Sequence, residues 1–133
     1  MKEKTNPRTL RKVVIVIINV SVALLHFINF ERYQGPWHVF VTGYLFDILL
    51  PFALYFLLCL PESTTFRLQW HWKVALIVGF GTCVELSQMA GFPIFGSTFD
   101  PLDILAYTGG AAIALAVDKL VLSRCFRFWR IQP

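Results

Sequence analysis

Residues 74–95 read VALIVGFGTCVELSQMAGFPIF, an apolar stretch long enough to cross a bilayer as a helix, interrupted by Glu85 and Gln88. A carboxylate inside such a stretch is costly in hydrocarbon, so its presence indicates a partner or a function. Glu85 and Gln88 are three residues apart, which places the carboxylate and the amide on one face of a helix. The stretch therefore predicts a membrane helix with a polar face inside a protein.

The composition of the whole chain indicates one integral membrane domain, residues 1–133. Only 15% of the 133 residues are charged and 56% are hydrophobic, and the mean hydropathy is +0.62. A soluble domain has about 25% charged residues. The net charge of +4 comes from short basic runs beside apolar segments, which favours contact with anionic membrane lipids over nucleic acid binding.

Four apolar segments are long enough for membrane helices, at about residues 13–30, 37–60, 73–95 and 102–122. The third helix could instead end nearer Ala90. Pro51 is expected to kink the second helix or to open its backbone locally. The predicted fold class is therefore all-α, a four-helix transmembrane bundle.

The basic residues predict the orientation of this bundle. All of the 12 Lys and Arg residues except Arg32 lie in the N-terminal tail, in the loop between the second and third helices, or at the C-terminal end. The positive-inside rule then places both termini and the middle loop in the cytoplasm. Alternatively, the basic start from Lys2 to Lys12 and the motif Ser21-Val22-Ala23 could belong to a cleaved signal peptide, although the apolar run continues past this motif.

Two acids are predicted to lie at similar depth near the bilayer midplane. With a rise of 1.5 Å per residue, Glu85 is roughly 18 Å from the inner start of its helix and Asp47 roughly 15 Å from the outer start of its own. Gln88 lies about one turn outward of Glu85, and Tyr107 one turn below Asp103. We expect these five residues to line an outward polar cavity. Asp47 and Glu85 could share one proton there, as a proton relay or as the acid and base of an enzyme.

Structural roles explain the same polar residues without a ligand. Glu85 and Gln88 could cross-link helices by hydrogen bonds. Asp103 could stabilise the start of the fourth helix through the helix dipole. Asp100 is expected to be a solvated loop acid or a helix-start residue. Asp118 is expected to reach the inner interface beside Lys119.

Neither a metal site nor a cofactor is predicted. His26 and His38 are expected at the outer ends of the first two helices as hydrogen-bonding groups. The odd number of cysteines and the lack of a Cys-x-x-Cys motif argue against a disulfide framework or a thiolate metal site. Small residues predict close packing between two helices. Gly109 and Gly110 form a smooth surface on the fourth predicted helix, and Gly79 and Gly81 could form the facing surface on the third.

The segment from Glu85 to Gly110 resembles the VanZ-like family of small bacterial membrane proteins. Glu85, Gln88, Asp103 and Gly110 match the family pattern Glu-x-x-Gln followed by Asp-x-x-x-Asn-x-x-Gly, and Tyr107 stands at the Asn position. The family is named after a protein associated with low-level teicoplanin resistance. The resemblance implies a multi-pass protein of the bacterial inner membrane and cell envelope.

The leading functional hypothesis is that the polar cavity binds an envelope lipid, a glycolipid or a glycopeptide. A second hypothesis is a membrane-embedded lipid-modifying enzyme that uses the intramembrane carboxylates. A third is a proton-coupled small transporter, which would need a homo-oligomer because four helices are few for a transport path. No soluble-enzyme motif such as Gly-x-Ser-x-Gly or His-Glu-x-x-His is present.

Overall fold

The computed structural model describes residues 6–28, 30–94 and 98–131, apart from the side chain of Glu31. Lys2, Lys4 and the predicted helix end at residue 95 lie outside the described residues. The described chain is helical and has no strand, which confirms the all-α class. Its helices are α1 (Pro7–His26), α2 (His38–Gly43), α3 (Leu45–Leu58), α4 (Trp70–Met89), α5 (Pro101–Ala116) and α6 (Ser123–Cys125); short 3-10 turns occupy Phe30–Arg32 and Arg127–Trp129, and a π-helical turn occupies Val117–Leu122.

Two helical segments are long and apolar enough to cross a bilayer. They are Pro7–His26 and the continuous segment Pro101–Cys125, whereas Leu45–Leu58 is apolar but shorter. Most side chains of the two longer segments are not buried in the protein. Their apolar surface is therefore directed outward rather than into a core.

The first helix starts six residues before the predicted position because of its cap, not its hydropathy. The Asn6 side chain accepts a hydrogen bond of 3.0 Å from the Arg8 backbone N–H, and Pro7 occupies the first helical position. Both features are typical of a helix start. The basic residues that precede the apolar run are therefore part of α1.

The second predicted helix is divided into α2 and α3 at Tyr44. The break follows Gly43, a residue with low helix propensity. Pro51 lies inside α3, where it has no N–H to donate to the carbonyl four residues before it. That carbonyl belongs to Asp47, so the backbone beside this acid lacks one helical hydrogen bond.

Local capping also sets where the third predicted helix ends and where the fourth begins. Gly91 has a φ of +86° after α4. The N–H of Phe92 donates to the Ser87 carbonyl at 2.9 Å and the N–H of Gly91 to the Gln88 carbonyl at 3.0 Å. This is the Schellman arrangement that ends a helix. Before α5, the Asp100 side chain accepts a hydrogen bond of 2.9 Å from the Leu102 N–H.

The core forms where α5 packs against α3 and α4, with α1 against α3. Its buried side chains are Ile15, Tyr55, Phe56, Cys59, Ile77, Ala111, Ala114 and Trp129. Two glycines permit the close approach. A Cβ on Gly110 would overlap with the Ile48 carbonyl oxygen, and a Cβ on Gly81 would overlap with the Tyr107 ring. Gly79 and Gly109 have no such neighbour within 4 Å.

Gly110→Ala is expected to lower the stability of the protein by about 1–3 kcal/mol, because the added methyl group must displace the α3 backbone. Gly109→Ala is the matched control, one residue away in the same helix and in open space. It should leave the melting temperature unchanged or raise it, since Ala favours helix. Thermal unfolding in detergent measures both, and an equal effect of the two variants would contradict the close contact.

Candidate functional site

One end of the bundle carries four carboxyl groups that we call the acidic cluster: Asp47, Glu85, Asp100 and Asp103. Asp47 lies in the first turn of α3 and Asp103 in the first turn of α5. Glu85 lies towards the end of α4, and Asp100 caps α5. Because α4 runs in the opposite direction to α3 and α5, the starts of α3 and α5 meet the end of α4. Three helices therefore bring their acids to one place.

Glu85 is the most deeply buried member of the acidic cluster, with 1% of its surface exposed. Its Oε1 accepts a hydrogen bond from the Tyr107 hydroxyl at 3.4 Å, and its Oε2 accepts one from the Asp100 backbone N–H at 3.2 Å. Gly81, one turn before Glu85 on α4, leaves room for the Tyr107 ring. The carboxyl of Glu85 is thus fixed by α5 and by the loop before it.

The other acids also have close polar neighbours. The carboxyl group of Asp47 lies near those of Asp103 and Glu85. The Tyr44 hydroxyl donates to Asp100 Oδ2 at 3.3 Å. The acids of α3, α4 and α5 therefore lie near one another, and Tyr44 adds a phenol group to them.

Gln88 is the one candidate that turns away from these partners. Its Nε2 donates to the Ile94 carbonyl at 3.1 Å, in the loop that follows α4. Its Oε1 is buried and has no hydrogen-bond partner. The structure thus brings four of the five predicted site residues together, and it places the fifth beside them with one unused acceptor.

The acidic cluster has no cation of its own in the described part of the chain. The three ion pairs among the described residues involve Glu62 and Asp118, which are not members of the acidic cluster. The described residues also hold no group of three His, Cys, Asp or Glu side chains arranged for a metal ion. The chemistry of this site is therefore that of hydrogen-bond acceptors with surplus negative charge, flanked by two phenol groups.

Two contributors to the acidic cluster were not predicted from the sequence. Asp100 was expected to be a loop acid or a helix-start residue; it does cap α5, and it also binds Tyr44 and orients Glu85. Tyr44 gave no sequence signal other than its position one turn before Asp47. His26, expected near this end, packs edge-on against Phe46 with ring centroids 5.0 Å apart.

The opposite end of the bundle holds a buried ionic group that sequence reasoning missed. Glu62 lies between two cations, with Oε2 at 2.6 Å from Arg11 Nη2 and Oε1 at 2.6 Å from Lys73 Nζ. Lys73 also contacts the Cys59 Sγ at 3.1 Å. These contacts tie α1 and α4 to the segment after α3. We use the name basic end for the region formed by Arg11, Cys59, Glu62 and Lys73 together with the C-terminal residues that cover it.

Asp118 belongs to the same buried region, and the expectation that it reaches the interface is wrong. It is 4% exposed. The Tyr55 hydroxyl donates to its Oδ2 at 2.9 Å and the Trp129 Nε1 donates to its Oδ1 at 2.7 Å. Lys119 is 3.5 Å from Asp118 and half exposed. The two neutral donors satisfy the carboxylate inside the protein, so it needs no aqueous contact.

Comparisons with protein-family models, curated protein sequences and solved structures found no match to this chain.

Glu62→Gln should destabilise the fold by about 3–5 kcal/mol, because it leaves two buried cations without an anion. Lys119→Gln is the control: it also removes one charge from an ion pair, but its side chain is 53% exposed. That change should cost less than about 1 kcal/mol. Denaturant unfolding of the purified protein compares the two, and similar losses would show that Glu62 is not the buried anchor.

Proposed function

We propose that this chain is a four-helix integral membrane protein of the bacterial inner membrane, VanZ-like in type, with both termini in the cytoplasm. In this proposal the acidic cluster faces outward and binds the polar head of an envelope lipid or glycolipid, or a glycopeptide. The protein is a binding component of the cell envelope. The acids Glu85 and Asp103 of the family-like motif both belong to the cluster, and Gly110 lies at the helix contact beside it.

The lengths and outer surfaces of the helices support four membrane crossings. α4 has 20 residues, and α2 and α3 together run from His38 to Leu58. At 1.5 Å per residue α4 is about 30 Å long, the thickness of the hydrocarbon core, and α2 with α3 covers a similar number of residues with a break at Tyr44. Large apolar side chains on these helices point outward, among them Leu50, Leu57, Leu76 and Phe80. Exposed apolar surface of this extent suits lipid better than water.

The observation that carries the binding proposal is that the acidic cluster has carboxyl groups but no basic side chain among the described residues. Four carboxyl groups and two phenols meet without a cation from the described chain. Groups of this kind accept hydrogen bonds and attract positive charge. A ligand that complements them carries hydroxyl or ammonium groups, as sugar heads, amino lipids and glycopeptides do.

A proton-coupled role is the second candidate, and a separate observation favours it. The carboxyl groups of Asp47, Glu85 and Asp103 lie near one another; like charges this close favour the binding of a proton, which a ligand ammonium group could replace. Release of the proton would then accompany ligand binding. A path across the membrane would need a homo-oligomer of this small bundle.

Cysteine labelling tests the orientation. In a background with Cys83→Ala and Cys125→Ser, which removes the two exposed thiols, Thr98→Cys should react with a membrane-impermeant maleimide in intact cells. Thr64→Cys should react only after the membrane is opened. Both positions are exposed loop threonines, so they form a matched pair. Labelling of both from the same side would contradict the four-helix topology.

Ligand binding is tested with the purified full chain in neutral detergent. The probes are phosphatidylethanolamine, a monoglucosyl diacylglycerol and teicoplanin, each titrated by calorimetry. We expect saturable binding of at least one probe and a loss of about tenfold or more in affinity with Asp103→Asn, because a charge-assisted hydrogen bond is removed.

Asp103→Glu keeps the charge and serves as the conservative control, with binding closer to that of the unchanged chain. Proton release on binding, measured by repeating the titration in buffers of different ionisation enthalpy, separates the proton-coupled role from simple binding. If none of the three probes binds, or if Asp103→Asn binds as tightly as the unchanged chain, the acidic cluster is a structural feature only.

A further inference from the structure

A cavity of about 780 Å³ lies at the basic end, at the opposite end of the bundle from the acidic cluster. The start of α1, the residues after α3 and the C-terminal segment form its walls. Five basic side chains line it together with one carboxylate: Arg8, Arg11, Lys12, Arg127, Arg130 and Glu62. The volume is that of a small-molecule site, and its walls carry a surplus of four positive charges, five against one.

The one carboxylate in this wall is already engaged. Glu62 holds Arg11 and Lys73, each at 2.6 Å. Arg8, Lys12 and Arg127 are exposed side chains, and none of them belongs to an ion pair among the described residues. The positive charge of the cavity is therefore available to a ligand.

Arg11 makes this cavity a built site rather than a chance group of surface cations. Its side chain is buried, with 7% of the residue exposed. The guanidinium is held by Glu62 on one nitrogen and lies 5.1 Å from the centre of the Trp129 ring. Its Nε is buried and has no hydrogen-bond partner among the residues that the structure describes. A fixed guanidinium with an unused donor at the wall of a cationic cavity points to an anionic ligand.

We propose that this cavity binds a phosphate group, with Arg11 as the fixed anchor and the exposed cations closing around it. Guanidinium groups match the tetrahedral oxygens of phosphate and can donate to two of them at once. A wall of four arginines and one lysine suits a phosphate ligand better than a ligand with a single carboxylate group. The phosphate can belong to a lipid head at the membrane surface or to a soluble molecule. This inference does not rest on the function proposed for the acidic cluster.

The test compares two charge-matched double variants of the full chain in neutral detergent. Arg8→Gln with Arg127→Gln removes two cavity cations, both exposed. Arg32→Gln with Arg124→Gln removes two exposed arginines that are not part of the cavity wall. Calorimetric titrations use inorganic phosphate in one arm and dioctanoyl phosphatidic acid in the other.

We expect saturable binding of at least one probe by the unchanged chain. The cavity variant should weaken that binding about tenfold or more, since charge-assisted hydrogen bonds are lost, and the control variant less than about twofold. Binding of phosphatidic acid alone identifies a lipid head as the source, and binding of inorganic phosphate identifies a soluble one. Failure of both probes to bind, or equal losses in the two variants, would overturn the proposal. Unchanged melting temperatures of both variants establish that they are folded.

Discussion

The carboxylate of Glu62 is the contact on which the basic end depends. The N-terminal turn of α1, the start of α4 and the C-terminal segment all bring cations to this end, and their mutual repulsion opposes packing. Glu62 offsets it by bridging Arg11 and Lys73 at 2.6 Å each. These two cations in turn lie over the rings of Trp129 and Tyr55. The Tyr55 hydroxyl and the Trp129 indole N–H also donate to Asp118, so a single connected group of charged and aromatic side chains holds these segments together.

The two ends of the bundle differ in which kind of charged group is in excess. At the basic end, buried carboxylates have cations or donors fixed against them, and cations remain in excess. At the acidic cluster, carboxyl groups meet one another because Gly110 and Gly81 let α5 approach α3 and α4 closely. A fold gains nothing in stability from leaving like charges together in an apolar bundle. The ligands proposed for the two ends would each offset the excess of charged groups found there.

The sequence predicted the class of fold and the meeting of the acids, but not the contacts between them. Helical rise gave similar depths for Asp47 and Glu85, and Asp103 was expected to line the same cavity. Helical rise does not give the rotation of each helix, so the hydrogen bonds of Glu85 with Tyr107 and with the Asp100 N–H could not be predicted. The basic end was harder still. Arg11 and Glu62 are 51 residues apart, and the Tyr55–Asp118 contact joins positions 63 residues apart, so no local pattern contains them.

Opposite charge at the two ends also links orientation to ligand chemistry. The helices alternate in direction, so their dipoles largely cancel, and the polarity of the bundle comes from its side chains. In the proposed orientation the basic end lies at the cytoplasmic leaflet, whose anionic lipids are attracted to such residues. The acidic cluster then faces the envelope, where sugar and amine groups are its complements. If both proposals hold, the same distribution of charge that orients the protein selects an anion on one side of the membrane and a hydroxyl-bearing or cationic group on the other.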